Sequence, residues 1–94
     1  MVKIEHEENI PKGRFVIYDN EEFAGEMTYS WAGEEFFIID HTLVEEKFGG
    51  KGYGKQLVMS AVNFAREKNV KILPLCTYAK RVFDTEDEIA DVKR

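Results

Sequence analysis

The hydrophobic period of this chain changes once, across a glycine-rich stretch, and that change restricts its fold more than any other feature. Before it, "RFVIYD" (14–19), "FAGEMTYSW" (23–31) and "EFFIIDHTLV" (35–44) are rich in β-branched and aromatic residues, with turn residues between them. After it, Leu57, Val58, Ala61, Val62 and Ala65 recur at helical spacing and draw one apolar stripe along 54–68. Asn69 suits a left-handed helix cap, and "VKILPL" (70–75) is a further short strand. Strand, glycine loop, helix, strand is a βαβ unit, so 35–44 and 70–75 should run parallel.

The remaining segments fit around that unit. "VKIEHEE" alternates weakly and is expected as an edge strand, the first of an antiparallel meander. Gly25 is a candidate β-bulge. Simple alternation along 35–44 puts Phe37, Ile39, His41 and Leu43 on one face, with Phe36, Ile38, Asp40, Thr42 and Val44 on the other. Pro74 has no N–H to donate, so pairing should fail near it. A short helix is expected from Thr77 to Phe83, then an acidic tail. The fold class is α+β with a mixed central sheet, and residues 1–94 are read as a single domain.

Composition narrows the function classes. Of 94 residues, 44% are apolar and 33% charged, a soluble globular profile. No apolar run approaches the roughly 20 residues of a membrane span, and the N-terminus shows no hydrophobic leader. A lone cysteine cannot close an internal disulfide, which suggests the cytoplasm. No Cys/His cluster has metal-ligand spacing, so no metal is expected. The net charge of −5 argues against nucleic acid as a partner. That total hides a segregation. Residues 1–46 carry 3 basic and 12 acidic side chains, whereas 47–81 carry 8 basic residues and only Glu67 in opposition. A local basic block suits a small polyanion, or else it is an ordinary solvated lysine face.

The block opens with "KFGGKGYGKQ" (47–56), for which three phosphate-binding patterns compete. A P-loop reading from Gly49 places Gln56 where magnesium needs Ser or Thr. The dinucleotide fingerprint fails because Gly50, Gly52 and Gly54 are spaced two by two. The third is the pyrophosphate loop of the GNAT superfamily of acyl-CoA N-acyltransferases. Gly52, Tyr53 and Gly54 match its Gly-x-Gly core, although Gly49 stands where Gln or Arg is usual. With "IDHT" before it and "PLCTYAK" after it, the run 35–83 resembles a short, single-domain branch of that superfamily. The residues agree independently: no Ser, Thr, Asp or Asn stands ready to cap a helix starting at Gly52–Lys55, which leaves amides free for an anion.

The resemblance implies a three-layer α/β/α arrangement and acetyl-CoA or coenzyme A as co-substrate. It implies cofactor contacts from Thr42, Leu43 and Val44 along the strand, and from Gly49, Gly50, Lys51, Gly52, Tyr53, Gly54 and Lys55 in the loop. Cys76, Tyr78 and Lys80 complete that set. The acyl carbonyl would lie where the two parallel strands splay apart, and transfer to an amine would be direct. His41 could take the amine's proton or could pack on an apolar face. Tyr78 could protonate the leaving thiolate or serve packing. Cys76 could be a transient acyl acceptor or a small buried hydrophobe. The helical pair that most members carry after their first strand is missing, and so are strands beyond the C-terminal helix. The acceptor amine is therefore unspecified, a monomer or homodimer is open, and a non-catalytic acyl-CoA-binding module is the alternative to an N-acetyltransferase.

Overall fold

A computed structural model describes all residues from Met1 to Arg94. Four strands precede the glycine-rich stretch: β1 (Val2–Asn9), β2 (Lys12–Asp19), β3 (Glu22–Trp31) and β4 (Phe36–Val44). After it come α1 (Tyr53–Lys68), β5 (Lys71–Pro74) and α2 (Thr77–Thr85). The five strands form one sheet in sequence order; the first four are antiparallel, and β5 runs parallel to β4. The α+β class, the meander and the parallel crossover are thus as the sequence predicts. No helix is long and apolar enough to cross a membrane.

The helical stripe is the main source of cohesion. Leu57, Val58, Ala61, Val62 and Ala65 are all fully buried against Ile17, Met27, Tyr29, Phe37, Ile39 and Ile72 of the sheet. Each of the larger aliphatic side chains contributes roughly 1.5–3 kcal/mol when fully buried. Asn69 ends α1 in the left-handed conformation, at φ 58° and ψ 47°. The β2–β3 connection is a tight turn whose Asn20 and Glu21 both have positive φ, 51° and 69°, the geometry that matches strand twist in a hairpin.

Both helices pack on the same face of the sheet, where they contact each other and share one core. Ile38 and Leu73 on the opposite face stay half-exposed and do not join that core. The molecule is therefore two layers rather than the three that the resemblance implies, and the missing helical pair is the reason. The acidic tail is also more ordered than its composition suggests. Asp87–Val92 forms a 3-10 turn whose Ile89 and Val92 enter the core, while Arg66 holds Asp91 at 2.8 Å.

Two bulges break strict alternation. In β3, Ile17 pairs with Gly25 and Tyr18 with Phe23, so the expected bulge falls at Ala24–Gly25. In β4, Thr28 pairs with His41 and Tyr29 with Ile39, which leaves Asp40 without a partner. Phe37 and Ile39 face the helices, but one extra residue reverses the pattern beyond them. Thr42 and Val44 then turn to the helix side, and His41 and Leu43 turn to the outer face. The expected grouping of His41 and Leu43 with Phe37 and Ile39 is corrected accordingly.

Candidate functional site

The glycine-rich stretch is an arch with two fixed feet. Phe48 and Tyr53 are buried at its ends, 7% and 6% exposed, with ring centroids 6.1 Å apart. Between them Gly49, Gly50, Lys51 and Gly52 are exposed. Gly50 and Gly52 have φ of 82° and 79°, conformations that L side chains rarely adopt. Gly52 also occupies the cap position of α1 and offers no side chain to it. As a result, the main-chain amides of Gly50, Lys51, Gly52, Tyr53, Gly54 and Lys55 donate no hydrogen bond within the protein. Six consecutive free donors at a helix start, with no acidic residue in its first turn, make a concavity of the kind that suits an anion. Of the nearby lysines, Lys47 is held by Glu22 at 2.8 Å and Lys55 by Glu86 at 3.0 Å. Lys51 and Lys80 make no ion pair.

Beside the arch the sheet opens. The β4–β5 ladder ends at Ile39 and Pro74, the proline predicted to stop it. The Leu75 and Cys76 amides both donate to the Ile39 carbonyl at 3.2 Å, after which the chain turns away into α2. Beyond Ile39, β4 pairs with β3 alone, so its other edge presents free backbone groups. Cys76 is the cap of α2 rather than a strand residue, and the Ala79 amide donates to its Sγ at 3.3 Å. Thr42 Oγ1 reaches across the opening to within 3.2 Å of the same sulfur. Tyr78 lays its ring over Gly54, where any added Cβ would fall 2.8 Å from Cζ. Burial raises the Tyr78 phenol above its ordinary pKa against the opposing pull of Lys55, so it keeps its proton at neutral pH.

Thr42, Cys76, Tyr78, Gly54 and Lys55 therefore converge where the strands part. His41 does not join them on the helix side; the bulge leaves it exposed on the outer face, beside Asp40. The adjacent polar pair Asp40–His41 in an otherwise apolar strand is the sequence signal for that bulge. A cavity of about 730 Å³ also opens on the outer face, bordered by Glu7, Arg14, Thr28 and Asp40. Its arginine is already committed to Glu7 at 3.0 Å and Glu26 at 2.8 Å. The free donors and the open strand edge lie on the other side of the sheet from this cavity.

A model of the GCN5-related N-acetyl-transferase family matches residues 14–92. The chain belongs to that family. As an N-acetyltransferase it is similar in structure to a GCN5-like protein of Staphylococcus aureus solved by NMR. The two are 36% identical over 96% of this chain and 87% of that one, with a TM-score of 0.73. A GNAT family acetyltransferase from Elizabethkingia anophelis, solved with acetyl-CoA bound, is 25% identical over 68% of this chain and 42% of its own, at a TM-score of 0.63. The ribosomal-protein-S18-alanine N-acetyltransferase of Escherichia coli shares the fold at 11% identity and a TM-score of 0.70, over 83% of this chain and 53% of that one. No match was found among curated protein sequences.

Proposed function

We propose that this N-acetyltransferase uses acetyl-CoA and transfers its acetyl group directly to an amine. The observation that carries the reading is the run of free amides from Gly50 to Lys55 next to an open strand edge. The pyrophosphate of coenzyme A binds those amides at the helix start, with charge supplied by Lys51, Lys55 and Lys80. The pantetheine arm, which carries two amides, pairs with the free edge of β4 at Thr42, Leu43 and Val44 as an added strand would. Its thioester then lies between that edge and the start of α2, near Cys76 and Tyr78. A GNAT family neighbour of similar fold, solved with acetyl-CoA bound, supports the choice of cofactor.

The chemistry follows from the two faces of the opening. An alkylammonium of pKa about 10.4 must lose a proton before it can attack. His41 faces outward at the bulge and accepts that proton, so the acceptor arrives from the uncovered outer face. The amine's lone pair adds to the acetyl carbonyl carbon, and the C–S bond breaks as the tetrahedral adduct collapses. Tyr78, on the helix side, gives its proton to the departing sulfur, and the second proton that the nitrogen loses on becoming an amide restores the phenol. Cys76, held by Thr42 and the Ala79 amide, lines the pocket and caps α2.

Amine-dependent release of free thiol from acetyl-CoA tests the reading, with a panel of peptide and small-molecule amines. Tyr78→Phe and His41→Ala should each lower kcat by about 10²-fold or more while KM for acetyl-CoA changes little. Binding of acetyl-CoA without any amine-dependent release would favour a binding module instead. Full turnover in both folded variants would remove their assigned roles.

A further inference from the structure

We propose that Asp19, at the end of β2, is a positioning residue for the arch, acting through the hydrogen bond that its carboxylate accepts from the Tyr53 hydroxyl. The inference rests on the arch being the phosphate site. Tyr53 follows Gly52 directly and begins α1, so its ring fixes the height and direction at which the free amides point. The ring is buried, and its hydroxyl lies 2.5 Å from Asp19 Oδ2 across 34 residues of chain. That hydrogen bond raises the phenol above its ordinary pKa, so it remains a donor throughout the neutral range. Tyr53 is consequently unable to use its side chain on a ligand; only its amide is free.

The acceptor is well supported. Asp19 immediately precedes the Asn20–Glu21 turn, whose two positive φ values fix its geometry. Asn20 is in turn tied to the N-terminus, taking the ammonium of Met1 on Oδ1 at 2.6 Å and giving its own amide to the Met1 carbonyl at 2.9 Å. The same turn reaches the other foot of the arch, where Lys47 donates to Glu22 at 2.8 Å. That second contact is exposed and adds little alone. One hairpin turn thus holds both ends of a four-residue segment containing three glycines, which would otherwise lose much conformational freedom on binding. The turn orders the donors before the ligand arrives.

A positioning role separates affinity from chemistry. Loosening Asp19–Tyr53 leaves every donor and catalytic group in place but misaligned for the diphosphate. Calorimetry with coenzyme A should show Kd raised about tenfold in Asp19→Ala and in Tyr53→Phe, the loss expected for one hydrogen bond to a charged group. The double variant should lose no more than either single, and Asp19→Asn, which keeps an acceptor oxygen, should recover most of the affinity. Turnover of Asp19→Ala at saturating acetyl-CoA should stay at the wild-type rate. In ligand-free protein, ¹⁵N relaxation should show Gly50–Gly52 more mobile in both single variants than in wild type. Affinity unchanged within twofold, or additive losses in the double variant, would overturn the proposal. If wild type itself bound no coenzyme A, the functional reading would fail; unaltered loop relaxation would then overturn the positioning role as well.

Discussion

Gly13 shows how one missing side chain organises a strand pair. Tyr29 on β3 is fully buried, and its ring passes over β2 exactly opposite Gly13, where a Cβ would fall 2.3 Å from Cζ. Through that gap its hydroxyl reaches β1, donating to Glu8 at 2.7 Å and lying 2.5 Å from His6 Nε2. Trp31 Nε1 donates to the same Glu8 oxygen at 2.7 Å. Neither ring can move without leaving the core or breaking this set. Gly13→Ala should therefore destabilise the fold by roughly 1–3 kcal/mol, the usual range for overpacking. Thermal denaturation should register this as a loss of roughly 4–8 °C per kcal/mol. An unchanged Tm would show that Tyr29 has room to shift. The contact between His6 and Tyr29, 23 residues apart and made through a glycine gap, leaves no periodic trace in the sequence.

At the scale of elements, β1 is held to the sheet partly by that polar set, which makes its docking sensitive to acid. Stacking on Phe15 at 4.2 Å partly buries the His6 ring and holds its imidazole below its ordinary value. Burial alone would raise the Glu8 carboxyl, but hydrogen bonds from Trp31 and Tyr29, with His6 and Lys68 close by, bring it below the usual carboxylate range. Both groups bind protons more readily when unfolded than when folded, so both make stability rise with pH. The His6 contribution is complete above about pH 6.5 and declines as pH falls from there towards its folded pKa. The Glu8 contribution is complete above about pH 4.3 and is lost as pH falls through its folded pKa. Thermal unfolding from pH 7 downward should show Tm dropping through both windows. His6→Phe should flatten the upper one, and Glu8→Gln the lower. A His6→Phe slope identical to wild type would mean that the imidazole is not what titrates. β4 teaches a related lesson. Its existence, length and parallel partner were legible from its period, whereas its bulge is marked only by the adjacent polar pair Asp40–His41, which simple alternation passes over.

For the molecule as a whole, the elements and their order could be read because glycines, Pro74 and Asn69 punctuate segments of strong and distinct period. The glycine arch and its free amides were equally legible, since its glycines and uncapped helix start are local features. What escaped the sequence depends on long-range geometry: the reversal that turns His41 outward, the single helical layer, and the carboxylates of Glu22, Asp19 and Glu86 that engage the arch and its flanks. In the proposed function the layering sets a direction, with cofactor groups on the helix side and the uncovered outer face left for the acceptor. The central claim is that the free amides of Gly50 to Lys55 receive a diphosphate. Titration of ¹⁵N-labelled protein with coenzyme A, followed by amide shifts, tests it most directly. The account predicts the largest changes at Gly50–Lys55, with a second group at Thr42–Val44. Shifts confined to the outer-face cavity around Glu7 and Arg14, or no shift at Gly50–Lys55 at saturating ligand, would contradict it.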